Sequence, residues 1–345
     1  MPAEEGIKPR AVPSPAQMIN AARAAASFTA GRLLKRPIVL GSPVMLMVEP
    51  TTACQLRCPH CPTGRGELSR PTGRMTLERF KTIWDSIRPA PILLQLWNQG
   101  EPFVNRETPE IITHAARSGA QVKLSTNVEL LARGDLAERI VRAGLAELIL
   151  SLDGTSAEAY NTYRVGGDFD HVREGIERVV AARQKLGVRH PLLTWQFLLF
   201  KHTLEEIPEA RRLARQWGVD HVVFKTAQLE DLSREEGETW LPDDPALRRY
   251  DLKGDRWVLR RSDRYFCNRI FASAVVQWDG TVVPCCFDKD GRYVVGNAAD
   301  DGFPAVWTGE AFQRFRRDWI EGRRPEMCDN CTEGLARLYS SPKGL

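Results

Sequence analysis

Eight cysteines fall into two groups whose spacing says what they could do. Cys54, Cys58 and Cys61 form a Cys-x-x-x-Cys-x-x-Cys run, whereas Cys267, Cys285, Cys286, Cys328 and Cys331 all lie in the last quarter of the chain. In a compartment that keeps thiols reduced, cysteines so grouped point to metal rather than to disulfides. Three thiolates in one short loop can wrap an iron–sulfur cluster, and three ligands on a four-iron cluster leave one iron open for a small chelating ligand. The competing assignment is a zinc knuckle. Structural zinc takes four ligands, usually as two close pairs, and no fourth cysteine follows Cys61 unless His60 is recruited. The second group offers four thiolates from three segments, enough to close a complete site, and zinc is the alternative there too.

The elements that must position these residues can be read from hydrophobic periodicity. Short apolar runs at residues 44–48, 92–97, 122–125, 148–152, 192–200 and 221–225 predict six strands. Segments 77–87, 109–118, 135–143, 171–186 and 204–217 have helical spacing, and Gly119, Gly144, Gly187 and Gly218 follow four of them, where a left-handed residue ends a helix. This alternation predicts an α/β fold of parallel strands with right-handed crossovers, a barrel or an open sheet, with its ligand site at the C-terminal strand ends. Cys54 follows the first predicted strand, Asn98-Gln99-Gly100-Glu101-Pro102 the second, Ser125-Thr126-Asn127 the third and Ser151-Leu152-Asp153-Gly154 the fourth.

An Ala-rich segment, 17–34, free of acids, predicts a helix covering the core; a membrane-surface role for its Arg23 and Arg32 with Lys35 and Arg36 is the minor alternative. At 345 residues with 43% hydrophobic content the chain can bury a large core. A formal charge of +4 without a long basic run argues against nucleic acid. No apolar stretch is long enough to span a bilayer and no signal peptide is evident, so a cytoplasmic location is expected. Neither a Gly-x-Ser-x-Gly elbow nor a phosphate-binding P-loop is present, which removes the hydrolase and nucleotide readings they would carry.

The segment from Glu49 through Cys54, Cys58, His60 and Cys61 to Pro62 resembles the signature loop of the radical S-adenosylmethionine (SAM) superfamily. That resemblance implies a partial (β/α)6 TIM-like barrel in which a [4Fe–4S] cluster on Cys54, Cys58 and Cys61 binds SAM. Reductive cleavage then yields methionine and a 5′-deoxyadenosyl radical that abstracts hydrogen from substrate. A reducing partner such as flavodoxin or ferredoxin is implied. Gly100-Glu101-Pro102 is similar to the turn that holds the SAM amino group. Ser125, Asn127 and Ser151 resemble the polar residues that meet its carboxylate and ribose, and Arg164 resembles the carboxylate-binding arginine. The sequence departs from the pattern at Val128, where many relatives have glycine, and at His60, often aromatic.

Toward the C-terminus, segments 274–278 and 281–284 read as strands joined by an Asp279-Gly280 turn that would bring Cys267 and Cys285 together. With Gly296-Asn297 and Trp307, this resembles a SPASM module in its shorter twitch form, because no cysteine follows Cys331. The resemblance implies one auxiliary [4Fe–4S] cluster on Cys267, Cys285, Cys328 and Cys331, with Cys285 selected by its spacing from Gly280. Cys286 is then a spare thiol, either an inert buried cysteine or a hydrogen-atom donor as in radical SAM epimerases. The expected organisation is an N-terminal helical extension (1–43), a radical SAM core (44–245) and a small α+β SPASM/twitch module (246–345). Segment 226–266 either shapes the pocket or links the modules. A closed auxiliary cluster favours electron relay, so the first functional expectation is dehydrogenation or epimerisation of a carbohydrate-like small molecule. A peptide maturase comes second and a non-catalytic metal-binding protein third.

Overall fold

The computed structural model describes residues 6–261, 265–333, 335 and 339–340. The ends of the first and third expected units therefore lie partly outside the described residues.

Six strands run in parallel and in sequential order: β1 (Met45–Val48), β2 (Leu93–Gln95), β3 (Gln121–Thr126), β4 (Glu147–Ser151), β5 (Leu192–Leu199) and β6 (His221–Thr226). Helices Leu77–Asp85, Thr108–Arg117, Leu136–Arg142, Phe169–Leu186 and Ile207–Gln216 connect successive strands. Gly119, Gly144, Gly187 and Gly218 all have positive φ, the left-handed termination expected of them. Two elements differ from expectation. β2 is shorter than the apolar run because Trp97 and Asn98 turn out of the sheet toward the site, and residues 201–206 form a 3₁₀ turn before Pro208 starts the fifth helix.

Alternation within the strands sorts two faces. Leu46, Leu94, Val122, Leu124, Leu148 and Leu150 pack outward against the helices in one continuous core. The opposite face is apolar where β1 meets its C-terminal neighbours, through Met47, Val275 and Val283, and polar at β3 and β4. There Lys123 pairs with Glu147 at 2.6 Å, and the Ser125 and Ser151 hydroxyls lie 3.0 Å apart.

The C-terminal module joins this sheet instead of standing apart. After a hairpin of β7 (Tyr250–Lys253) and β8 (Arg256–Leu259), β9 (Ser273–Val276) pairs in parallel with β1, in register Leu46 to Ala274. β10 (Thr281–Val283) folds back on β9, and β11 (Gly296–Asn297) extends that edge. β12 (Tyr339–Ser340) adds antiparallel to β6 on the opposite edge, giving ten strands in all. Gln277, Trp278, Asp279 and Gly280 form the connection between β9 and β10, with Gly280 at φ 95°.

The N-terminal segment forms a helix at Pro15–Leu34, opened by a capping box between Ser14 and Gln17. It crosses the N-terminal ends of the strands. Gln17 donates to the carbonyls of Ala90 and Pro91 just before β2, and Asn20 exchanges hydrogen bonds with Ser42 just before β1.

Candidate radical SAM and auxiliary cluster sites

The loop leaving β1 brings Cys54, Cys58 and Cys61 to one pocket with Gly100, Glu101, Ser125, Asn127, Ser151 and Arg164. Of the sequence-derived site residues on this side, only Pro102 is not in the lining. It is buried one position on, where it opens a 3₁₀ turn.

Why the loop passes so close to residue 100 is a matter of backbone space. Gly100 has φ 74°, and a Cβ there would lie 2.4 Å from the Thr51 carbonyl oxygen and 2.8 Å from that of Ala53. Only glycine fits, and it places the two segments in direct contact, with the Glu101 N–H donating to the Ala53 carbonyl at 2.8 Å. The Glu101 side chain turns away from the opening. It accepts from the Thr126 hydroxyl and from the N–H groups of Asn127 and Phe103, and burial pushes its carboxyl up to about 7. Glu101 is thus a brace that holds the Ser125–Asn127 turn in place. Val128 takes φ 79°, so the position where relatives carry glycine keeps its left-handed conformation at a cost in strain for a β-branched residue.

Arg164 is oriented by Asp153. Its Nε and Nη2 reach the buried Asp153 carboxylate at 2.8 and 2.5 Å, Asp153 also accepts from the Leu198 N–H, and Arg164 Nη1 faces Cys58 Sγ at 3.9 Å. Burial pushes the Cys54 thiol up to about 12 and raises Cys58, with neighbouring thiols adding to the rise for each. A pocket that resists separate thiolates at Cys54 and Cys58 and supplies an arginine beside one of them suits a cluster that binds them as thiolates together. No disulfide joins them.

Glu49 is committed to structure: Arg70 grips both its oxygens at 2.6 and 2.5 Å, and Asn98 and the Gln99 N–H donate to it. His60 is neither exposed nor a pocket residue. It packs against Tyr163 and Trp240, and burial lowers its pKa to about 4, leaving it neutral. Gln196 lies beside Lys225, with Nζ to Oε1 at 3.5 Å. Sequence reasoning missed Trp97, Thr63 and Tyr163 as lining residues. The signal for Tyr163 was its place in the same motif as Arg164. Segment 226–261 seals this side of the cluster loop: Leu229, Leu241, Tyr250 and Trp257 join Leu56, Tyr163 and Phe200 in one apolar cluster.

Cys267, Cys285, Cys328 and Cys331 line a second pocket with Arg269 and Glu333. Burial raises Cys267 and Cys328 and takes Cys331 up to about 12. Cys286 is absent from that lining and packs with Met47, Trp97 and Val275 on the concave face of the sheet. Its thiol lies 3.7 Å from Arg269 Nη1 and shares a proton with Cys285, which lowers Cys286 and raises Cys285.

Two family models match this chain: the radical SAM superfamily over residues 48–214 and the SPASM iron–sulfur cluster-binding domain over 267–332. The chain is a radical SAM protein with a SPASM domain. Its cofactors are accordingly SAM and two [4Fe–4S] clusters, one SAM-binding and one auxiliary. The AdoMet-dependent heme synthase of Methanosarcina barkeri is 29% identical over 186 residues, spanning 53% of this chain and 51% of that protein. The mycofactocin maturase MftC of Mycobacterium tuberculosis is 24% identical over 329 residues, 88% of this chain and 78% of the relative. The PqqA peptide cyclase of Granulibacter bethesdensis is 25% identical over 312 residues, 84% and 79%. In fold, the chain resembles SuiB of Streptococcus suis, with a TM-score of 0.62 at 14% identity, covering 92% of this chain and 77% of that one. No helix among the described residues is long and apolar enough to cross a membrane.

Proposed function

We propose that this radical SAM protein is a peptide-modifying maturase. The observation that carries the reading is that a maturase and a peptide cyclase align with this chain across both the radical SAM and the SPASM regions, 329 and 312 residues. The heme synthase alignment stops near half of either chain. Dehydrogenation of a carbohydrate, the first expectation from sequence, has no such support from these relatives.

Cluster-bound SAM supplies the 5′-deoxyadenosyl radical that removes a substrate hydrogen. The protein's own residues have distinct tasks. Cys54, Cys58 and Cys61 would hold the first cluster, and Cys267, Cys285, Cys328 and Cys331 the auxiliary one, which would supply an acceptor for the electron given up when the substrate radical is oxidised. Gly100 would leave room for the SAM amino group, Ser125, Asn127 and Ser151 would meet its polar edges, and Arg164, held by Asp153, would bind its carboxylate. Cys286 stands on the concave face beside Trp97, in position to return a hydrogen atom where the outcome is epimerisation.

The test is anaerobic turnover with SAM and a reduced flavodoxin or dithionite, against pools of synthetic peptides and pools of sugars and polyols. Formation of 5′-deoxyadenosine above the uncoupled rate, with a peptide whose mass falls by the two hydrogens of a new bond, supports the maturase. Stimulation by a sugar pool with peptides inert overturns it and restores the carbohydrate reading.

A further inference from the structure

The helix Pro15–Leu34 is inside out. Its inward stripe is Gln17, Asn20, Ala24, Ser27 and Gly31, polar or small residues tied down by hydrogen bonds to the backbone before β1 and β2. Gly31 is needed for close contact, since a Cβ there would lie 2.7 Å from Phe271 Cζ. Phe28 anchors the helix edge-on to Phe266 and Phe271, but other large apolar side chains point the other way: Met18, Ile19 and Leu33 are 58%, 56% and 73% exposed. At 100° per residue these three, with Ala22, Ala26 and Thr29, share one outward face, and Arg23 and Arg32 lie on its two borders. A surface helix that spends its polar residues inward and its apolar ones outward lacks a partner.

The charges say which kind. Residues 6–48 contain no acid. Arg23, Arg32, Lys35, Arg36 and Arg88 have no carboxylate within ion-pair distance among the described residues. Beside the helix, and lined in part by its Asn20 and Arg23, a cavity of about 220 Å³ is walled by Phe303, Trp307 and Val39, carries Arg88 as a second cation, and has no acidic lining residue. An apolar face edged by arginines, next to a cationic pocket with aromatic walls, matches an anionic bilayer in both layers it presents, acyl chains and phosphate headgroups. The face lies at the N-terminal ends of the strands, opposite the cluster pocket, so docking there leaves the pocket mouth free.

We propose that the helix Pro15–Leu34 and the adjoining Arg23–Arg88 pocket form a peripheral docking surface for anionic membranes. The test uses the full chain, reconstituted anaerobically, sedimented with vesicles of phosphatidylcholine alone or mixed with phosphatidylglycerol, at low and high salt. Wild type should bind the anionic vesicles, bind the neutral ones far less, and weaken with salt. Each cation near the surface contributes roughly fivefold to such binding, so Arg23→Gln/Arg32→Gln/Lys35→Gln/Arg36→Gln should lose at least roughly a hundredfold. Met18→Ser/Ile19→Ser/Leu33→Ser should also abolish sedimentation. Iron content and SAM cleavage should match wild type in both variants, showing that they fold. Arg173→Gln/Arg178→Gln, on the far helix Phe169–Leu186, should bind as wild type. Equal sedimentation with and without vesicles overturns the proposal. So does a solution dimer that the apolar variant splits, which would make this face a contact between copies, and so does saturation by inorganic phosphate without vesicle binding.

Discussion

Gly100→Ala is the sharpest test of how the SAM-side pocket is built. Two costs add at this position. A non-glycine residue held at φ 74° pays about 1–2 kcal/mol for the left-handed backbone. The new methyl also meets Thr51 O at 2.4 Å, Thr52 C at 2.7 Å and Ala53 O at 2.8 Å, all backbone atoms that no rotamer change can move. Overpacking of that kind costs about 1–3 kcal/mol, so the total is about 2–5 kcal/mol. The strain can be relieved only by shifting residues 51–53, the segment that delivers Cys54. Gly187→Ala separates the two costs, because Gly187 has φ 63° and a methyl added there meets nothing within 4 Å, so it should pay the backbone term alone. Urea unfolding of the apoprotein measures stability, and SAM binding after anaerobic reconstitution measures the pocket. The expected result is a Gly100→Ala protein at least about 1 kcal/mol less stable than Gly187→Ala and impaired in SAM binding. A Gly100→Ala protein as stable as Gly187→Ala, with SAM affinity unchanged, refutes the close backbone approach.

Replacing Cys54, Cys58 and Cys61 together by Ala should lower reconstituted iron from about eight to about four per chain. Cys285→Ser should likewise leave about four, whereas Cys286→Ser should retain about eight; the reverse pattern would exchange the two roles. Asp153→Asn leaves the Arg164 guanidinium without its buried counter-charge and should cost about 3–5 kcal/mol in urea unfolding while weakening SAM binding, and a loss in neither would remove Asp153 from the site. His60, with its folded pKa near 4 against 6.5 for the free side chain, contributes stability that is full above 6.5 and is lost as pH falls toward 4. Its Nε2 lies 3.5 Å from the exposed Glu236 carboxylate, too loose a partner to offset burial. At pH 5 this loss is about 2 kcal/mol relative to pH 8, so His60→Phe should flatten the acid limb of the stability profile by that amount, and parallel profiles would count against the assignment.

The cysteine spacing and the strand-to-glycine rhythm made the superfamily and the parallel sheet legible, because both are local in sequence. What escaped depends on contacts between distant segments. Asp153 reads as a turn residue after β4, and its partnership with Arg164 exists only because helix Ala157–Tyr163 folds back over the strand end. Trp97 and Tyr163 look like core residues by type, and nothing in their pattern separates a pocket wall from a packed interior. The β9–β10 hairpin could be read from its turn, but not that β9 would pair with β1 and so carry the auxiliary cysteines onto the sheet that holds the first cluster. Helix Pro15–Leu34 was readable as a helix, yet its orientation was set by Gln17, Asn20 and Ser27 finding backbone partners, which overrode the burial its leucines and isoleucine would have favoured.

That pairing of β9 with β1 explains why two adjacent cysteines meet different surroundings. β10 lies directly on β9, so the segment leaving it passes between the auxiliary pocket and the concave face of the sheet. Cys285 reaches the pocket with Cys267, Cys328 and Cys331, and Cys286 reaches Met47 and Trp97. Trp97 in turn lines the pocket of Cys54, Cys58 and Cys61. A single peptide step thus connects the proposed auxiliary cluster to the wall of the SAM pocket. On the proposed reading, an electron leaving a substrate radical in the first pocket would pass Trp97 toward the auxiliary site, with Cys286 packed beside that tryptophan. Electron relay and hydrogen return would then be competing fates of one radical, decided by which of the two lies nearer the carbon that SAM chemistry activates.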